Sequence, residues 1–308
     1  PGINSANDAC SALAAGSLAG AIAVIRRGTC SFAIKVNNAS AAGAVAVIIA
    51  NNQAGTIVPS VPGTTIPAFA VTQAVGDALR DFGQANPSTA TAAIPFPAQP
   101  IPNTPDQLAA FSSRGPAGNL DLVKPDLTAP GVQILATVAG DTLTGFESAV
   151  AMLDGTSMAS PHQAGAVLLL RQLRPGWTVP ELKSALQMTA TRAVLREDGS
   201  PANPFDMGSG RIRVNLAANA GLLLDETAAN FLAANPATGG DPSTLNLASM
   251  AERVCAGSCQ FIRRFRNPGN TSVNWTAAVS GLPGTVSPAS FTVAAGGTVA
   301  LTVTIDAS

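Results

Sequence analysis

The chain has 308 residues, a formal net charge of −1, 46% hydrophobic residues and 11% charged ones, less than half the usual charged share of about 25%. A charge so near zero argues against nucleic acid and against an anionic membrane surface as partners. No apolar run in the sequence reaches the roughly 18 residues of a membrane span, while the length allows two or three hydrophobic cores. With no initial methionine and no signal-peptide pattern, the sequence reads as the inside of something larger, either processed or truncated.

Residues 10 to about 95 read as one small α/β unit. Ala21 to Arg26 is a predicted strand. Ser31 caps a helix running to about Ala42, with Phe32, Val36 and Ala39 on one face and Gly43 as its stop. Ala44 to Ala50 and Ile66 to Val71 are the next two strands. Gln73 to Phe82 is a second helix, with Ala74, Ala78, Leu79 and Phe82 inward. Five prolines make residues 94 to 105 an extended connector. Leu108 to Ser113 and Ile134 to Val138 read as further strands.

The stretch from Leu153 to Val167 carries the chemistry. A glycine-led turn delivers a serine to the start of an apolar helix, with Thr156 or Ser157 as N-cap. Pro161 falls within or just past the first turn. Ala164 to Leu170 is almost wholly apolar, so the helix is expected to be buried on all sides, and Arg174-Pro175-Gly176 stops it. A serine at a helix N-terminus has its own N–H pointing out of the helix, with the positive end of the macrodipole behind it. Its hydroxyl can attack a carbonyl while the N–H helps hold the oxyanion that forms. The plainer alternative is an N-capping serine on a core helix.

Val179 to Met188 is a helix with Leu182, Ala185 and Leu186 inward, and another runs through Leu216 to Ala220. Strands alternating with helices over this region argue a parallel, doubly covered sheet. From Leu245 the pattern changes to short alternating runs separated by Pro/Gly turns, which mean a β-sandwich.

The four cysteines fall in two close pairs, Cys10 with Cys30 and Cys255 with Cys259, and local pairing is the simplest of three connectivities. Two local disulfides imply an oxidising compartment, hence a secreted or periplasmic protein. Closing the Cys10–Cys30 loop is worth about 3 kcal/mol in the chain-entropy model. The alternative for Cys-x-x-x-Cys is a metal site, but the single histidine, His162, sits inside the serine stretch.

The run Gly155-Thr156-Ser157-Met158-Ala159-Ser160-Pro161-His162 resembles the nucleophile motif of the subtilisin-like serine peptidases. Phe111 to Pro116, Lys124 to Gly131 and Phe205 to Ile212 look like further stretches of that family, in its order. Ala21 to Phe32 with Ala41 to Ile49 resembles the protease-associated (PA) domain, and the last part resembles the fibronectin-III-like domain that follows many subtilisin-like catalytic domains.

The resemblance implies an α/β fold. Its parts are a PA domain over 1–95, the C-terminal part of a parallel-sheet catalytic domain over 96–229, and a linker with a β-sandwich, possibly incomplete, over 230–308. It implies hydrolysis of protein or peptide substrates by acyl transfer through Ser157, with Gly155, Thr156 and Ser157 as the oxyanion turn. No cofactor and no metal ligand is assigned from the sequence, which does not give calcium dependence.

The family's triad runs Asp, His, Ser. Its Asp and His segments and the oxyanion asparagine would precede Pro1, so the missing N-terminal half of the catalytic domain is a partner and the chain alone is expected to be inactive. His162, five positions after Ser157 and roughly 140° round the helix, is read as structural, as is Pro161. Asp154 is read as a helix cap. Asp121, Asp126 and Asp141 are not triad candidates, having no histidine base beside them. The alternative function is a non-catalytic binding module built from the PA domain and the sandwich.

Overall fold

The computed structural model describes residues 8–53, 55, 57, 59–61, 63–94, 104–118, 120–138 and 149–308. The chain forms two compact units. One comprises Pro1–Pro105, Ala109–Phe111 and Gly131–Met158, and the other Asp106–Leu108, Ser112–Pro130 and Ala159–Ser308.

In the first unit, β1 (Ile22–Arg26), α1 (Phe32–Ala41), β2 (Ala46–Ala50), β3 (Ala68–Val71) and α2 (Gln73–Ala85) follow in order. The strands make a parallel sheet in the order β1-β2-β3, with Ile22 opposite Ala46 and Val47 opposite Ala68. Every residue of β2 is buried, as the central strand of a covered parallel sheet must be. The hydroxyl of Ser31 accepts from the Ile34 N–H and starts α1. Val36 and Ala39 then close the core with Ala23, Ile25, Val47 and Ile49. Gly43, at φ 96°, turns the chain from α1 into β2, and a side chain there would stand 3.0 Å from the Ala19 backbone.

Helix α2 departs from expectation. Ala74, Ala78 and Phe82 are exposed, and Gly76 is its one buried residue. A Cβ on Gly76 would lie 2.2 Å from the Ala50 Cβ, so the helix approaches β2 through bare backbone.

The same unit holds a hairpin of β4 (Ile134–Val138) and β5 (Ala149–Leu153), paired antiparallel with Ile134 opposite Leu153. A parallel partner was expected for this strand. Leu135, Val150 and Met152 remain exposed on it. The expected strand over 108–113 is also absent; Leu108 N–H donates to the Leu195 carbonyl (2.8 Å) beside a single bridge between Gln107 and Leu195. Residues 95–103 of the proline-rich connector lie outside the described residues.

α3 (Thr156–Leu173) begins in the first unit and continues in the second. α4 (Val179–Met188) opens with a capping box between Thr178 and Glu181. Its residues Leu182, Ala185 and Leu186 pack with Leu170, Trp177, Ile212, Ala217 and Leu223 in the core of the second unit. Short elements follow: α5 (Pro204–Met207), α6 (Val214–Ala217), β6 (Leu223–Leu224) and α7 (Ala228–Ala233).

The remainder is antiparallel β structure: β7 (Ser258–Arg266), β8 (Val273–Thr276), β9 (Gly284–Ser287), β10 (Ser290–Val293) and β11 (Thr298–Asp306). It forms one sheet ordered β6-β7-β11-β9 and a second of β10 with β8. Phe261, Val293 and Leu301 are buried in it. Disulfides join Cys10 to Cys30 and Cys255 to Cys259.

Candidate active site

The serine stretch sits where β5 hands the chain to α3. Gln133, at φ 53°, leads into β4, and its N–H donates to the Asp154 carboxylate. The Gly155 N–H donates to the Gly131 carbonyl at 2.8 Å. These two bonds tie the entrance of the hairpin to its exit and set the direction in which α3 starts. The bond to Gln133 is a role the structure gives Asp154.

The helix begins one residue earlier than the capping argument required. Thr156 is its first residue, and the Met158 N–H donates to the Gly155 carbonyl at 3.0 Å. Thr156 and Ser157 thus lie inside the first turn, and neither is the N-cap. The Ser157 N–H is then one of the four that a helix leaves without an internal partner. Thr156 and Ser157 are both exposed. A side chain at Gly155 would place a Cβ 3.5 Å from the Ser157 nitrogen, an ordinary contact distance. The positive end of an 18-residue helix stands behind it.

Pro161 is the sixth residue of α3. It has no N–H to give the Ser157 carbonyl four residues back, so that carbonyl lacks its normal helical partner. His162 is exposed and, five residues past Ser157, points to a different side of the helix.

The body of α3 differs sharply from the expectation of all-round burial. Ala166 and Leu170 are buried, but Leu168, Leu169 and Leu173 are 70%, 56% and 62% exposed.

In the second unit, parts of the three further stretches singled out in the sequence meet. The Thr128 N–H donates to the Gly210 carbonyl (2.9 Å), and the Ile212 N–H to the Thr128 carbonyl (3.2 Å). The Gly115 N–H donates to the Phe205 carbonyl (2.9 Å). Gly208 and Gly210 are glycines of close approach, since a Cβ would lie 2.3 Å from the Pro125 carbonyl and 2.1 Å from the Thr191 carbonyl respectively.

Asp126 pairs with Lys183 (2.7 Å) and with Lys124. Burial pushes its carboxyl up, but the two ammonium groups outweigh this and hold it below the ordinary value. Asp121 accepts from the Arg253 N–H (2.8 Å). Both acids are braces here, a role that sequence spacing does not reveal. Asp141 lies outside the described residues. Among the described residues no group of three or more His, Cys, Asp or Glu is placed to hold a metal.

A PA-domain family model matches residues 2–79. The minor extracellular protease Vpr of Bacillus subtilis is 37% identical over 200 residues, which is 63% of this chain and 24% of the relative. Subtilisin-like protease SBT1.6 of Arabidopsis thaliana is 32% identical over 276 residues, 84% of this chain and 35% of the relative.

The chain belongs to the subtilisin-like protease family and carries a PA domain. It spans about a quarter to a third of the length of these subtilisin-like relatives. Among solved structures, the psychrophilic subtilisin-like protease Apa1 from Pseudoalteromonas sp. AS-11 matches with a TM-score of 0.26 and 17% identity, over 68% of this chain and 37% of that one.

Proposed function

We propose that this chain is the nucleophile-bearing stretch of a secreted serine endopeptidase and that Ser157 is the nucleophile. The observation that carries this reading is an exposed Ser157 in the first turn of α3, directly behind the glycine turn of the Gly155–His162 run. Its hydroxyl oxygen attacks the scissile carbonyl and gives its proton to a base. The tetrahedral oxyanion forms against the Ser157 N–H and the start of the helix, with the Thr156 hydroxyl beside it. Collapse releases the amine, and water then hydrolyses the acyl-serine.

The single histidine, His162, faces away from Ser157 and is not the base. The base, the acid that orients it and the oxyanion asparagine come from residues outside this chain. Proteins and peptides are the substrates. Residues 1–95 act as the PA domain, 96–229 as part of the catalytic domain, and 230–308 as a linker with a fibronectin-III-like sandwich. Two disulfides fit an extracellular site of action.

The test uses the longer protein that contains this stretch. Ser157→Ala should lower kcat by about 10⁶, the size of the loss for the serine of subtilisin. A loss of less than about tenfold would remove Ser157 from the chemistry. The 308-residue chain alone should show no peptidase turnover; turnover that Ser157→Ala abolishes would place the base within it.

A further inference from the structure

The first unit holds a charged group that neither the fold nor the peptidase reading uses. Lys35 lies on α1 and is 0% exposed. Its Nζ donates to the Asp8 carbonyl and, at 3.2 Å, to the sulfur of Cys10. A second donor reaches the same sulfur, the Cys30 N–H at 3.3 Å. Burial pulls the Lys35 pKa down, and the Asp8 carboxylate opposes that pull. Gly28 makes room for the pair, since a Cβ there would stand 2.8 Å from Asp8 Oδ2 and 3.2 Å from Lys35 Nζ.

A disulfide has two sulfurs, and a thiolate can attack either. The sulfur that leaves faster is the one whose thiolate is better stabilised. An ammonium group and an N–H directed at one sulfur lower the pKa of its thiol. Here both converge on Cys10. Cys30 is half-buried and is flanked by exposed Thr29 and Ser31.

We propose that Cys30 is a site of S-thiolation by small thiols, with Cys10 as the built-in leaving group. The thiolate of a small thiol attacks Cys30 Sγ and forms a new S–S bond to it. The Cys10–Cys30 bond breaks, and its electron pair leaves on Cys10 as a thiolate held by Lys35 and the Cys30 N–H. One disulfide replaces another, so no outside oxidant or reductant is needed. Reversal, by attack of Cys10 on Cys30, expels the small thiol and restores the loop.

The experiment uses the full chain and glutathione as the probe. The reaction is quenched with acid, free thiols are alkylated, and the adducts are mapped by mass spectrometry. The expected result is glutathione on Cys30 and the alkyl label on Cys10. Glutathione mainly on Cys10, or shared equally, would overturn the proposal. So would an inert Cys10–Cys30 bond under conditions that open Cys255–Cys259. Lys35→Met should slow exchange at Cys10–Cys30 about tenfold, leave the Cys255–Cys259 rate unchanged, and be rescued in part by Lys35→Arg. A folded Lys35→Met chain exchanging at the original rate would contradict the role of the lysine. Should that variant not fold, the adduct position in the unaltered chain decides alone.

Discussion

Arg263 shows what a single residue does in the β-rich part. It is 2% exposed, and its guanidinium donates to the carbonyls of Ser243, Leu247, Ser249 and Ile262. Burial pulls its pKa down and Glu226 opposes that. Arg263→Ala would leave those carbonyls without a donor, so it should destabilise the second unit by about 3 kcal/mol in chemical denaturation. Arg263→Lys should recover only part of this, because an ammonium cannot replace the planar fork.

Asp206 gives a pH dependence. Burial pushes its carboxyl up, but the Asn203 N–H and the Arg196 and Arg114 guanidinium groups outweigh burial and hold it below the ordinary value. A carboxyl depressed in the folded state adds stability that is present above its unfolded pKa, about 4, and is lost as pH falls through the lower folded value. Acid unfolding of residues 106–225, followed by hydrogen exchange below about pH 4, should therefore be less steep in Asp206→Asn. An unchanged slope would show that Asp206 carries none of it.

Two elements teach opposite lessons about legibility. In α1, the Ser31 cap, the Val36/Ala39 face and the Gly43 stop were all readable, because each rests on local geometry. In α2, apolar spacing pointed to Ala74, Ala78 and Phe82, yet contact is made through Gly76, which a hydrophobic pattern does not count. Gly76→Val should accordingly destabilise the PA unit by about 1–3 kcal/mol through overpacking on Ala50. A neutral effect would mean that α2 shifts freely on the sheet.

Helix α3 was legible as an element and misread as an environment. A run of leucines says apolar but does not say what covers it, and Leu168, Leu169 and Leu173 are exposed in this chain. The isolated chain should bind a hydrophobic dye and associate, and Leu168→Gln with Leu169→Gln should reduce both. The pairing of β4 was misread for a related reason: a short apolar strand does not encode the direction of its partner. The candidate site stands out in the sequence as eight consecutive residues; the bonds through Gln133 and Gly131 that orient the start of α3 come from chain neighbours brought together only by the hairpin.

At the scale of the molecule, the order along the chain is a PA domain, a proline-rich stretch and then the Gly155–Ser157 turn. We propose that residues 10–95 hold long substrates away from the scissile bond, since remote contacts add binding energy only for substrates that reach them. Replacing 10–95 by a short linker in the longer parent should spare hydrolysis of a small chromogenic peptide and weaken hydrolysis of a protein. Equal losses on both would assign the domain to stability instead. The central claim, however, is the identity of the nucleophile, and covalent capture tests it most directly. The longer parent, treated with a fluorophosphonate and digested, should carry the phosphonyl group on Ser157, with none in Ser157→Ala. A stoichiometric adduct on any other residue, or a reactive parent whose Ser157 stays unmodified, would contradict the account.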